Sequence, residues 1–159
     1  GLVYSGKVQK PRVVIRDAKN KIISSSLYTL KYSAGCKNVG RYTVRVTFKG
    51  NYSGAVSLYY QILPKGTVIS AATSRSGGFT VRWKKQAVQT SGYQIQYAEN
   101  SSFRGARTIT ISKNSTTVRN ILKLKKNKKY YVRIRTYRKE KGKNYYSSWS
   151  KTKAVTTKK

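Results

Sequence analysis

Acidic residues are almost missing from this chain: 3 Asp and Glu stand among 159 residues, and histidine is absent. Each shortage removes a class of chemistry. Paired-carboxylate hydrolysis needs two acids meeting in a cleft, whereas Asp17, Glu99 and Glu140 lie far apart in sequence, each beside turn residues. No group of residues has metal-ligand spacing, so neither a metal nor a cofactor is expected. Cys36 is the one cysteine, which excludes an intrachain disulfide. Without histidine it also lacks the usual base that turns a thiol into a nucleophile. The expectation is a buried or incidental thiol in a chain that is not an enzyme and has no catalytic residue. No run approaches the roughly 20 apolar residues of a membrane span, so no membrane insertion is expected. No signal-peptide pattern opens the chain. Gly1 leads straight into a strand-like run, and we expect a segment of a longer protein whose other domains are its partners.

What is abundant is positive charge. Lys and Arg number 35, for a formal net charge of +32. Such a surface attracts any polyanion at low salt, over a reach that physiological salt shortens to about 8 Å. The cations are spread along the chain: 11 with one acid up to residue 64, and 24 with two acids beyond it. That spread argues for a solubilising surface suited to anionic surroundings over one dedicated groove. Nucleic acid is therefore expected to bind only non-specifically, and no RNP or OB-type signature is present.

Period-2 alternation recurs throughout, and helical periodicity is nearly absent. Tyr42, Val44, Val46 and Phe48 alternate with Thr43, Arg45, Thr47 and Lys49. Val56, Leu58, Tyr60 and Ile62 form a second inward set, and Tyr28, Leu30 and Tyr32 a third. Turn signals separate them, among them "DAKNK" and "KGNYSG". The pattern pauses at "LPKGT", Leu63–Thr67, and resumes with Phe79, Val81 and Trp83, then Tyr93, Ile95 and Tyr97. Proline followed closely by glycine after a strand reads as a domain boundary. The expected fold is all-β, with two tandem antiparallel β-sandwich domains over residues 1–64 and 65–159.

Trp83, "GYQIQY" and the six-residue step from Leu124 to Tyr130 carry a resemblance over roughly residues 65–159. This part resembles the fibronectin type III modules of bacterial surface proteins, and the Leu-to-Tyr spacing matches that family's tyrosine corner. "KKNKK" stands where the family usually has a Pro-Gly turn. The stretches "YSGKVQKPRVVIRD", "KNVGRYTVRVTFKGNYSG" and "YYQILP" resemble the short immunoglobulin-like repeats of Gram-positive surface and wall-associated proteins. Such repeats usually have a strand before the Tyr-Ser-Gly-Lys segment, so the resemblance implies a first domain short of one edge strand. Together the resemblances imply a secreted or wall-associated, non-catalytic spacer or adhesion region.

"KKYYVRIRTYRKEKGKNYYSSWSK", Lys128–Lys151, concentrates the candidate site residues. Alternation sends Tyr130, Val132, Ile134 and Thr136 inward, and Tyr131, Arg133, Arg135 and Tyr137 outward. Trp149 is expected to stack with Arg133 and Arg135 in a self-contained ladder. Its setting is similar to the Trp-Ser-x-Trp-Ser element of cytokine-receptor fibronectin modules, with Tyr146 in place of the first Trp. Lys125, Lys126, Lys128, Lys129, Lys139, Lys141 and Lys143 are candidate contacts for an anionic wall polymer or other surface polysaccharide. A competing reading takes Tyr131, Tyr137, Tyr145, Tyr146 and Trp149 as a platform for host glycans or a host protein. Rings interleaved with arginines favour a scaffold, and a contiguous exposed aromatic patch favours recognition.

Overall fold

The computed structural model describes residues 1–159. The chain divides into two compact units, Gly1–Leu63 and Pro64–Lys159. Every element longer than one 3-10 turn, Ser25–Leu27, is a strand.

The first unit holds β1 (Leu2–Val3), β2 (Tyr28–Tyr32), β3 (Gly40–Phe48) and β4 (Ala55–Leu63) in a sheet of order β1-β4-β3-β2. β1 runs parallel to β4 and the other pairs are antiparallel. Val46 stands opposite Leu30 on one side and Val56 on the other, so all three expected inward sets share a face. Ile23, Tyr28 and Val46 are buried there against Val13, Ile15 and Phe48. Coverage ends before β4 does: Val56 and Leu58, expected inside, remain 43% and 40% exposed. Alternation assigns a side chain to a face, but only a second layer buries it, and the segment between β1 and β2 has within itself only one isolated bridge, Arg16 to Ile22. Asp17 organises the turn between them by accepting from the Lys19 and Lys21 backbone N–H groups, both at 2.9 Å. Cys36 is buried, and its thiol donates to the Ser33 carbonyl.

The second unit contains β5 (Ile69–Arg75), β6 (Gly78–Trp83), β7 (Gly92–Ala98), β8 (Arg107–Ile111), β9 (Val118–Ile121), β10 (Lys129–Glu140), β11 (Lys143–Tyr146) and β12 (Lys153–Thr156). One sheet has the order β5-β6-β9; the other has the order β11-β10-β7-β8, with β12 also paired to β10. All the pairings are antiparallel. The inward side chains of both sheets meet in one core, including Phe79, Val81, Trp83, Tyr93, Ile95, Tyr130, Val132 and Ile134. Each large apolar side chain fully buried there contributes about 1.5–3 kcal/mol. The Tyr130 ring is buried, and its hydroxyl accepts from the Lys125 backbone N–H at 3.3 Å, tying down the crossover that precedes β10. Pro64 is buried, and the Lys65 carbonyl accepts from the fully buried Thr136 hydroxyl at 2.8 Å, so the entry segment is fastened to this unit.

Candidate functional site

The outward face of β10 is organised by its two neighbours. β7 runs beside it in a register that sets Arg133 opposite Gln96 and Arg135 opposite Gln94. Each guanidinium donates twice to its glutamine carbonyl: Arg133 through Nε and Nη2 at 2.8 and 2.5 Å, Arg135 at 3.0 and 2.7 Å. The same glutamines donate onward to β8, Gln94 to Thr110 at 3.1 Å and Gln96 to Thr108 at 3.5 Å. Three adjacent strands thus fix the planes of both guanidinium groups, which suits the rigid fork of arginine and not the flexible ammonium of lysine.

On the other side of β10, "YSSWS" is held by its serines. Ser147 donates its N–H to the Thr136 carbonyl and accepts the Thr136 N–H on Oγ, both at 3.1 Å. Ser150 repeats this with Ile134, at 2.7 and 3.1 Å. The serine hydroxyls stand in for the ladder acceptors of a strand, and this pins Trp149 between two anchored positions. Its ring lies 4.8 Å from the Arg133 guanidinium and 4.3 Å from that of Arg135. Arg133 also lies 3.9 Å from the Phe103 ring, and Arg135 3.9 Å from the Tyr146 ring. The resulting order is Phe103, Arg133, Trp149, Arg135, Tyr146, with ring and cation alternating at every step. Burial pulls the Arg135 pKa down from its ordinary value; Tyr146 offsets this and Arg133 adds to it. The guanidinium stays charged throughout the ordinary pH range.

Not every residue expected on this face joins the ladder. Tyr131 is half-buried and pairs instead with Lys129, whose Nζ is 5.4 Å from the ring. Tyr137 points outward by alternation yet is only 7% exposed, which corrects its place as a surface residue. The cause is Gly92, directly opposite: a Cβ there would sit 3.0 Å from the Tyr137 ring and 1.9 Å from the Ile111 carbonyl oxygen. The ring covers the missing side chain and is itself capped by Tyr146, 6.1 Å between centroids. Burial pushes the Tyr137 hydroxyl pKa up, and Tyr146 adds to the shift. Phe103, Gln94 and Gln96 carry the ladder without having been singled out in the sequence. The two glutamines were readable as the outward positions of "GYQIQY", whereas Phe103, in the loop after β7 at φ 58°, gave no signal.

The candidate lysines fall into two groups. Lys125, Lys126, Lys128 and Lys129 gather where β10 begins, and Lys139, Lys141 and Lys143 where it ends. Ten residues of extended strand separate Lys129 from Lys139 by roughly 33 Å. Lys125 and Lys128 pair with Glu99 at 3.1 and 3.5 Å, and these contacts hold the Glu99 carboxyl below its ordinary pKa. Lys126, Lys141 and Lys143 project into solvent.

Residues 63–153, more than half of the chain, match the family model of the fibronectin type III domain. Among solved structures, the crystal structure of chicken CNTN1 FN1-FN3 domains is similar at 23% identity and a TM-score of 0.53. The match covers 77% of this chain and 44% of that one. A structure described as a myokine is similar at 16% identity and a TM-score of 0.49, covering 60% of this chain and 99% of that one. A beta-1,2-glucanase from Parabacteroides distasonis is similar at 14% identity and a TM-score of 0.49, covering 73% of this chain and 18% of that one. No curated protein matches the chain. The likeness to the chicken domains is one of fold, and modules of this kind are generally non-catalytic and serve adhesion or spacing. With its two-sheet core, tyrosine corner and matching family model, the chain belongs to the fibronectin type III domain family.

Proposed function

We propose that the chain is a spacer and adhesion segment of a secreted bacterial surface protein, held near anionic wall polymers by many separate charge contacts. In this reading residues 1–64 are an immunoglobulin-like repeat, and the fibronectin type III module over 65–159 carries the larger share of the charge. The observation that carries the proposal is the contrast between engaged arginines and solvent-facing lysines. Arg133 and Arg135 are consumed by rings and glutamines on both sides. Most of the other cations have no acid to pair with, since three ion pairs serve 35 Lys and Arg. A polyanion releases counterions wherever it meets such a surface, without a shaped pocket. The interleaving of rings with guanidinium groups supports this reading over a sugar-stacking platform for host glycans.

The test is binding to isolated Gram-positive walls, with and without their anionic polymers, across a salt series from about 50 to about 200 mM. The proposal requires binding that follows the polymers and weakens steeply with salt. Equal binding to stripped walls, or binding indifferent to salt, would remove it.

A further inference from the structure

At the end of the second unit where β10 begins, the loop after β7 and the loop before β10 enclose a cleft of about 380 Å³. Its lining mixes polar and apolar surface, with the buried rings of Tyr97 and Tyr130 and the side chain of Leu124 on its floor. Its rim is cationic, from Arg104, Arg107, Lys123 and Lys125, with Glu99 as the one acid. Glu99 is committed to Lys125 and Lys128, so Arg104, Arg107 and Lys123 are left without an acidic partner.

Hydrogen bonds within and between the loops fix the walls. Asn100 closes the loop after β7: its Oδ1 accepts from the Arg104 N–H at 3.0 Å and the Ser102 hydroxyl at 2.7 Å, and its Nδ2 donates to the Arg104 carbonyl at 2.9 Å. Phe103, next to Arg104, is buried under Arg133 and so ties this loop to the ladder. The facing loop is held by Leu124, whose N–H donates to the Gly77 carbonyl at 2.9 Å, and by the Tyr130 hydroxyl. A cleft of this size, lined by rings, an aliphatic side chain and charged groups, suits a small organic ligand, and loop backbones already held in place lower the ordering cost of binding.

Three uncompensated cations match a dianion better than a single carboxylate. A phosphate monoester carries about −1.5 to −2 charges at neutral pH and offers three strong acceptor oxygens. We propose that this cleft binds a phosphate monoester, with its organic group on the floor of Tyr97 and Leu124 and its oxygens among Arg104, Arg107 and Lys123. The proposal concerns one shaped site and does not depend on wall attachment.

The experiment is titration of the full chain with phenyl phosphate in about 150 mM salt, followed at backbone amides by NMR, with inorganic phosphate and phenol as separate arms. Saturable shifts confined to Arg104, Gly105, Lys123 and Leu124 are expected, weaker with inorganic phosphate and absent with phenol. Combining Arg104→Ala with Lys123→Ala, both solvent-exposed positions, should weaken binding at least about tenfold, while Glu99→Gln should strengthen it. Shifts that never saturate and spread over the basic surface, or binding unchanged in the double variant, would overturn the site. Neither result alters the wall-binding test, because that assay reads the polymer and the salt slope of the whole surface.

Discussion

Two regions of the second unit carry the same sign of charge and use it in opposite ways. On the outward face of β10, Arg133 and Arg135 are locked between rings and bonded to Gln96 and Gln94. At the two ends of the strand, lysines project into solvent, and only Lys125 and Lys128 meet an acid. The difference lies in the side chains and in what the register sets beside them. A planar guanidinium can stack and bond in two directions at once, whereas an ammonium on a flexible stem remains hydrated. One region is therefore tied into the outer face of the sheet, and the other is left exposed to solvent.

The largest effect expected from breaking the ladder is at its middle ring. Trp149→Ala removes two cation–ring contacts and their packing, for a loss of about 2 kcal/mol. Thermal unfolding should shift down by roughly 10 °C, with wall affinity unchanged at temperatures where the variant is folded. A variant as stable as the parent would mean that the ladder is decoration. Arg135→Lys keeps the charge but loses the fork to Gln94, and denaturant unfolding should show a cost of about 1 kcal/mol. No loss would place the stabilisation in charge alone. The smallest effect is one of pH. Because burial raises the Tyr137 pKa in the folded state, the unfolded chain ionises first. Stability from this group is complete below about pH 10 and is lost as pH rises through the folded value. Tyr137→Phe should flatten that decline, leaving the part due to Tyr60, which burial and then Cys36 raise in the first unit.

Local alternation carried much of the fold, because a buried antiparallel strand must show it. Val132 and Ile134 were legible as core, as were Phe79, Val81, Trp83, Tyr93 and Ile95. The pairing of Trp149 with Arg133 and Arg135 is legible too, since Trp149 lies on or just before the last strand, which is expected to run beside the one carrying both arginines. What alternation could not supply was long-range. The burial of Tyr137 depends on Gly92, 45 positions away on another strand. The rung at Phe103 depends on a loop folding back over β10. In the first unit, the exposure of Val56 and Leu58 depends on how far the segment opposite the sheet extends. Each miss concerns what covers a side chain, a property of another part of the chain.

The central proposal is that polyanion affinity belongs to the solvent-facing cations of the whole surface, the lysine-rich ends of β10 among them, and not to the ladder. The most direct test is the salt dependence of wall binding for the parent, for Trp149→Ala kept below its unfolding temperature, and for a variant combining Lys139→Ser, Lys141→Ser and Lys143→Ser. The account predicts an unchanged slope for Trp149→Ala, and a shallower slope with weaker binding for the lysine variant at unaltered stability. Binding that resists salt and disappears in a folded Trp149→Ala protein would contradict it.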